Sequence, residues 1–196
     1  MNLSLQTLAI DTLIPVLRSL SNVLDKASPR ASRQNRRARD ATEPGMETWL
    51  NNPSFVVYAI SCVILSGNLL FVWAYSGFVR GKTEVAINKE DAERFGAKLE
   101  TMDPPEVARV LRVHANAQAT VYPFLFLGLV FVLAGGSGGF ARVDFGIFVA
   151  ARIAHSIVYL AGKQPWRTLS FVASGLAMTA LMGNVVWMVV QGPPGR

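Results

Sequence analysis

Residues 109–129 read RVLRVHANAQATVYPFLFLGL. Arginines and amides at the start give way to an apolar run without charge. On a helix, Arg109, Arg112 and Asn116 stand at i, i+3 and i+7, which is one face. The uncharged run continues over residues 119–141 and ends in glycines. A helix that is cationic along one stripe at its start and hydrocarbon-like afterwards enters a membrane. Lipid cannot answer its polar stripe, so something else must.

Three more runs of the same kind flank it: residues 55–79, residues 145–160 broken by Arg152, and residues 168–191. About 20 apolar residues cross a bilayer as a helix. Two runs meet this directly and two meet it by extending into polar flanks. The predicted fold class is all-α, an integral membrane four-helix bundle over residues 49–191, followed by a short tail at 192–196. Composition agrees, with 51% hydrophobic and 16% charged residues.

The segment between the first two spans, residues 81–105, carries charges of both signs. Asn88 is placed to cap a short helix through Arg94 with acids in its first turn. Asp103 is placed to cap the second span, with Pro104 and Pro105 at early helical positions. Glycine-rich residues 135–139 read as a turn. The lone cysteine, Cys62, permits no intrachain disulfide and reads as a small buried apolar residue. The two histidines, His114 and His155, have no partner at metal-ligand spacing, so no metal site is expected. The net charge of +6 does not point to nucleic acid, because the cations lie at membrane depth or its edge.

The first 48 residues differ in character. Residues 3–24 are loosely amphipathic and interrupted by Pro15. Residues 28–43 hold Arg30, Arg33, Arg36, Arg37 and Arg39, a composition that cannot bury a core and reads as a disordered basic extension. A polybasic tether to anionic lipid is a second reading. A third starts the translated protein at Met46. Segment 80–112 and turn 162–167 share one side of the membrane and carry nine Lys/Arg. Without the extension, the positive-inside rule makes that side cytoplasmic.

In the third span, Arg152, His155 and Tyr159 again stand at i, i+3 and i+7, with Ser156 alongside. A charge at membrane depth costs about 2.5–3.5 kcal/mol on insertion scales, which marks a site. The two polar stripes are expected to face each other, with Arg167 and Thr168 opening the fourth span at the same level. The spans themselves are expected to offer no carboxylate. Converging cations with few partners suit an anionic ligand held by forked arginine hydrogen bonds. The plainer alternative pairs these cations with loop acids such as Asp91 or Glu84.

The stretches RVLRVHANAQATVYPFLFLG and ARIAHSIVYLAGKQPWRTLSF, with VR…NKEDA in the first loop, resemble the MAPEG superfamily. Its members are membrane-associated proteins of eicosanoid and glutathione metabolism. The likeness is nearest to the microsomal prostaglandin E synthase branch and runs from Trp49 to about Val190. It implies a homotrimer of four-helix subunits with glutathione held between subunits near the cytosolic side. By position, Arg80, Arg112, Asn116, Arg152, His155 and Tyr159 match glutathione-site residues of the family. Arg167 matches the arginine that stabilises the glutathione thiolate, and Asp91 a loop carboxylate implicated in the synthase chemistry. Thr168 stands where that branch has serine.

The family motif is close to RxHRNxxE, and here it reads RVHANAQA. Ala115 replaces an arginine, Ala119 a glutamate and Phe171 a tyrosine. The resemblance implies a glutathione-dependent membrane transferase, peroxidase or isomerase acting on lipophilic electrophiles from the bilayer. The alternative is a non-enzymatic membrane protein on the same scaffold, whose pocket binds another anionic lipid or metabolite.

Overall fold

The computed structural model describes residues 49–191. The basic extension at 1–48 and the tail at 192–196 lie outside the described residues. Four helices are long and apolar enough to cross a membrane: α1 (Pro53–Thr83), α3 (Pro105–Leu133), α4 (Gly138–Leu160) and α5 (Trp166–Gln191). Between α1 and α3 come β1 (Val85–Ala86), the short helix α2 (Lys89–Phe95) and β2 (Lys98–Leu99). The two strands pair in parallel, Val85 with Lys98 and Ala86 with Leu99. They close the loop into a small lobe at one end of the bundle.

Local chemistry sets the ends of the helices. Asn52 caps α1, its Oδ1 accepting from Ser54 N at 3.0 Å and Ser54 Oγ at 2.7 Å, with Pro53 in the first turn. The helix stops at Glu84, which takes left-handed backbone at φ 53°. Ser137 caps α4 by accepting from Phe140 N at 3.1 Å. The glycine turn is therefore shorter than its composition suggests, since Gly138 and Gly139 already belong to α4. Asn88 precedes α2 as expected, with Glu90 and Asp91 in the first turn, but it makes no side-chain cap. Its amide instead donates to Asp91 Oδ2 at 3.2 Å.

Two expectations are corrected. Asp103 does not cap α3; Pro104 occupies that position, and Asp103 accepts from Arg80 Nη2 at 2.8 Å. A guanidinium is a stronger partner than a helix N–H, and the prolines already relieve the N-terminus of two donors. Second, the spans do contain a carboxylate. Asp144 lies in the second turn of α4, buried, with Oδ2 unpartnered among the described residues. The uncharged run begins after it, but the helix begins before it.

Packing in the apolar half is aromatic. Phe124 of α3 stacks on Phe148 of α4 at 4.2 Å and meets Phe145 edge-on at 5.0 Å. Two polar contacts tie α1 to its neighbours: Tyr58 Oη donates to the Leu125 carbonyl at 2.8 Å, and Asn68 Nδ2 donates to Ser156 Oγ at 3.1 Å. With lipid as solvent, close packing and such hydrogen bonds hold helices together. Gly128 makes one close approach possible, because a Cβ there would sit 2.9 Å from Tyr58 Cε2 and 3.0 Å from Cδ2. Gly128→Ala is expected to cost about 1–3 kcal/mol, seen as a lower Tm in detergent. Gly67→Ala, which meets nothing within 4 Å, is the control expected to hold or raise the Tm.

Candidate functional site

The site is built around Arg152, which is only 1% exposed. Its Nη2 donates to Asn116 Oδ1 at 2.8 Å and to the Asn116 carbonyl at 3.1 Å, and Nη1 reaches Ser174 Oγ at 3.5 Å. Three helices thus converge on one guanidinium. Its Nε has no partner among the described residues, and no carboxylate there pairs with it. A buried cation held only by neutral dipoles is under-compensated.

One turn along α4, His155 Nδ1 lies 3.1 Å from the Arg167 carbonyl and 3.2 Å from Ser170 Oγ. A carbonyl only accepts, so the first contact puts the proton on Nδ1 and leaves Nε2 an acceptor in the neutral ring. That Nε2 is buried and unpartnered among the described residues. Arg167, in the first turn of α5, stacks over the Tyr159 ring with its guanidinium carbon 4.7 Å from the centroid. With the Gln164 amide oxygen turned to Arg167, it accepts from Nε at 3.1 Å and Nη2 at 2.8 Å while the amide nitrogen donates to Thr168 Oγ1 at 3.2 Å. The hydrogen-bond network sets that orientation. Asn116, His155, Tyr159, Arg167, Thr168 and Phe171 together line a cavity of about 300 Å³.

Five sequence-derived residues therefore meet in one cavity: Asn116, His155, Tyr159, Arg167 and Thr168. Arg152 lies behind them, bonded to Asn116. The others are elsewhere in the protomer. Arg80 and Asp91 line a separate cavity of about 510 Å³ under the loop lobe. Arg80 pairs with Asp103 rather than with Asp91 or Glu84. Arg112 is exposed on α3 and makes no hydrogen bond to the described residues.

The expectation that the α3 and α4 polar stripes face each other holds only for Asn116. Val107, Val110, Val113, Ala117 and Val121 occupy the buried face of α3, which turns Arg109 and Arg112 outward. Ala115 and Ala119 share that exposed face with Arg112, so their small side chains leave no hole inside the protomer.

Gln164, Ser170 and Ser174 were not singled out by the sequence. Ser170 and Ser174 fall at i+3 and i+7 from Arg167, the spacing that identifies the stripe on α4. The same rule applied to α5 finds both. Gln164 lies in a turn, where helical spacing gives no signal.

A family model described as the MAPEG family matches residues 58–187, from the second turn of α1 into the last turns of α5. Prostaglandin E synthase of Bos taurus is 33% identical over 136 residues, covering 69% of this chain and 87% of that protein. The Homo sapiens prostaglandin E synthase is 29% identical over 145 residues, covering 74% and 95%. Microsomal glutathione S-transferase 1 of Sus scrofa is 35% identical over 127 residues, covering 62% and 82%. The family-model match runs through all four membrane helices and every residue of the Arg152–Arg167 cavity, and the chain, a multi-pass integral membrane protein, belongs to the MAPEG family.

Proposed function

We propose that the protein is a glutathione-dependent transferase, peroxidase or isomerase acting on lipophilic electrophiles, with Arg167 facing the thiolate. The observation that carries this reading is the Arg167 fork, fixed by Gln164 and the Tyr159 ring at the mouth of a cavity backed by an under-compensated Arg152. The names of the relatives, prostaglandin E synthase and glutathione S-transferase, support thiol chemistry on a lipophilic substrate.

The residues present suit a peptide with two carboxylates and a thiol. Arg152 supplies buried positive charge, Asn116 and Tyr159 supply neutral hydrogen-bonding groups, and His155 Nε2 offers a free acceptor. A free thiol has a pKa near about 8.5, and an adjacent cation lowers it, so Arg167 raises the thiolate fraction at neutral pH. Thr168, anchored to Gln164, has a hydroxyl left to hold the thiolate or a substrate oxygen. Bound between helices, the peptide reaches the thiol towards the bilayer, from which the apolar electrophile arrives.

About 300 Å³ is the lower end for small-molecule sites, and Arg80, Asp91 and Arg112 are too useful to such a ligand to stand apart from it. We infer that a homotrimer brings the loop cavity and the exposed Arg112 face of one protomer against the Arg152 cavity of the next. The charge bias of residues 49–191 supports a cytoplasmic loop and α4–α5 turn, on the side where glutathione is available.

Ala115 and Ala119 on the exposed face of α3 favour a second reading, a scaffold that holds a different anionic lipid or metabolite. Calorimetry of the detergent-purified protein with glutathione, read beside its ultraviolet thiolate absorbance, decides between the two. Saturable binding with thiolate formation is the expected result. Ala119→Glu is expected to tighten that binding about 10–100-fold, the worth of one hydrogen bond to a charged group. A folded Ala119→Glu protein that stays inert at millimolar glutathione would leave only the second reading.

A further inference from the structure

A larger cavity lies away from the proposed thiol site. It measures about 600 Å³ and opens between the end of α1, the start of α3 and the end of α4. None of the residues proposed to hold glutathione lines it. Phe78, Val110 and Leu160 form its apolar wall, and Lys82, Glu106 and Arg109 its polar rim. The wall is continuous with a buried cluster of Val72, Val110 and Val113, on which Leu160 packs. We propose that this cleft is a binding site for one anionic phospholipid, with the phosphate between Lys82 and Arg109 and the acyl chains leaving over Phe78.

Depth, charge and shape each support this occupant. Lys82 is in the last turn of α1 and Arg109 in the second turn of α3, so both cations stand where the spans leave the hydrocarbon. That is the level of phosphate headgroups, and basic pockets between membrane helices at this level suit anionic lipids. Two cations against one acid give the rim a net positive charge. Neither cation pairs with a carboxylate among the described residues, whose ion pairs lie elsewhere.

Arg109 reaches the turn that ends α4, its Nη1 lying 2.7 Å from where a Cβ on Gly162 would be. Lys82 Nζ lies 4.3 Å from the centroid of the Phe78 ring. That ring is 58% exposed and forms the outer lip. A soluble anion would have no use for the apolar wall, and a neutral lipid none for the two cations.

The test titrates the full detergent-purified chain with phosphatidylglycerol, phosphatidylcholine and glycerol 1-phosphate by native mass spectrometry. One phosphatidylglycerol per protomer is expected, with the other two at least tenfold weaker. Lys82→Gln is expected to lose several-fold for phosphatidylglycerol while glutathione calorimetry is unchanged, and the double variant Lys82→Gln/Arg109→Gln to lose at least tenfold for the lipid. Glu106→Gln is expected to tighten the lipid several-fold, and it decides the matter alone should the double variant not fold. Equal binding of phosphatidylcholine overturns the proposal, as does a lipid affinity that ignores these substitutions. Glycerol 1-phosphate binding as tightly as the lipid overturns it too, by reducing the site to an anion site. Because glutathione binding is read separately, failure here leaves the thiol reading intact.

Discussion

Replacing Arg152 with methionine is expected to abolish most glutathione binding, by on the order of 10²-fold or more, while leaving the folded protein at least as stable. The two effects have one cause. Arg152 is buried, bonded to Asn116 and Ser174, and faces no carboxylate among the described residues. An anionic ligand losing a buried cationic partner gives up about 2–5 kcal/mol. The apo protein is instead relieved of a charge whose insertion costs about 2.5–3.5 kcal/mol. Against that relief stands an unpaired Asn116 amide oxygen, worth about 1–3 kcal/mol. Calorimetry and a melting curve in the same detergent separate the two effects. Binding that survives in Arg152→Met would show that the guanidinium is structural, and a collapsed Tm would show that its bonds to Asn116 and Ser174 outweigh its charge.

Arg167→Ala is expected to lower kcat about 10²–10³-fold, the usual loss when one preorganised group facing a developing or resident anion is removed, with a much smaller change in KM. In the proposed site Arg167 faces only the thiol, and the rest of the binding surface belongs to other residues. The pH dependence should change in a specific direction. The thiolate fraction grows with pH, so the wild-type rate reaches its plateau below the free-thiol range, and the variant keeps gaining rate towards about pH 8.5. Arg167→Lys restores charge without the fork that Gln164 grips, and a partial recovery is expected. A pH profile of the variant that overlays the wild type would remove Arg167 from thiolate stabilisation.

The four spans were legible because the bilayer demands long uncharged runs, and this chain supplies them with little ambiguity. Their ends were less so. Prolines 104 and 105 start α3 well inside charged sequence, and Asp144 enters α4 because the helix starts at its Ser137 cap rather than at the first apolar residue. The main error of arrangement came from spacing. A period of 3.6 places Arg109, Arg112 and Asn116 on one face but does not say what that face meets. The competing stripe Val107, Val110, Val113, Ala117 and Val121 was equally visible, and its small apolar residues make the better seam against α1. Asn116 borders both stripes, which is why it alone reaches Arg152. The cavity beside α5 was readable from Arg167 and Thr168, whereas the grip of Gln164 depends on turn geometry that no period encodes.

The partners of Arg152 also bear on how the chain is made. Asn116 precedes the arginine by 36 residues, and Ser174 follows it by 22. During synthesis α1, uncharged across its apolar stretch, can wait alone in the bilayer. The arginine of α4 emerges when one of its hydrogen-bonding partners is already in place on α3, and α5 then closes over it. Asp144 leaves the ribosome before Arg152 and has no partner for Oδ2 among the described residues. The third span therefore depends on a helix made earlier, and until α5 has joined the bundle its arginine has only the Asn116 half of its partners.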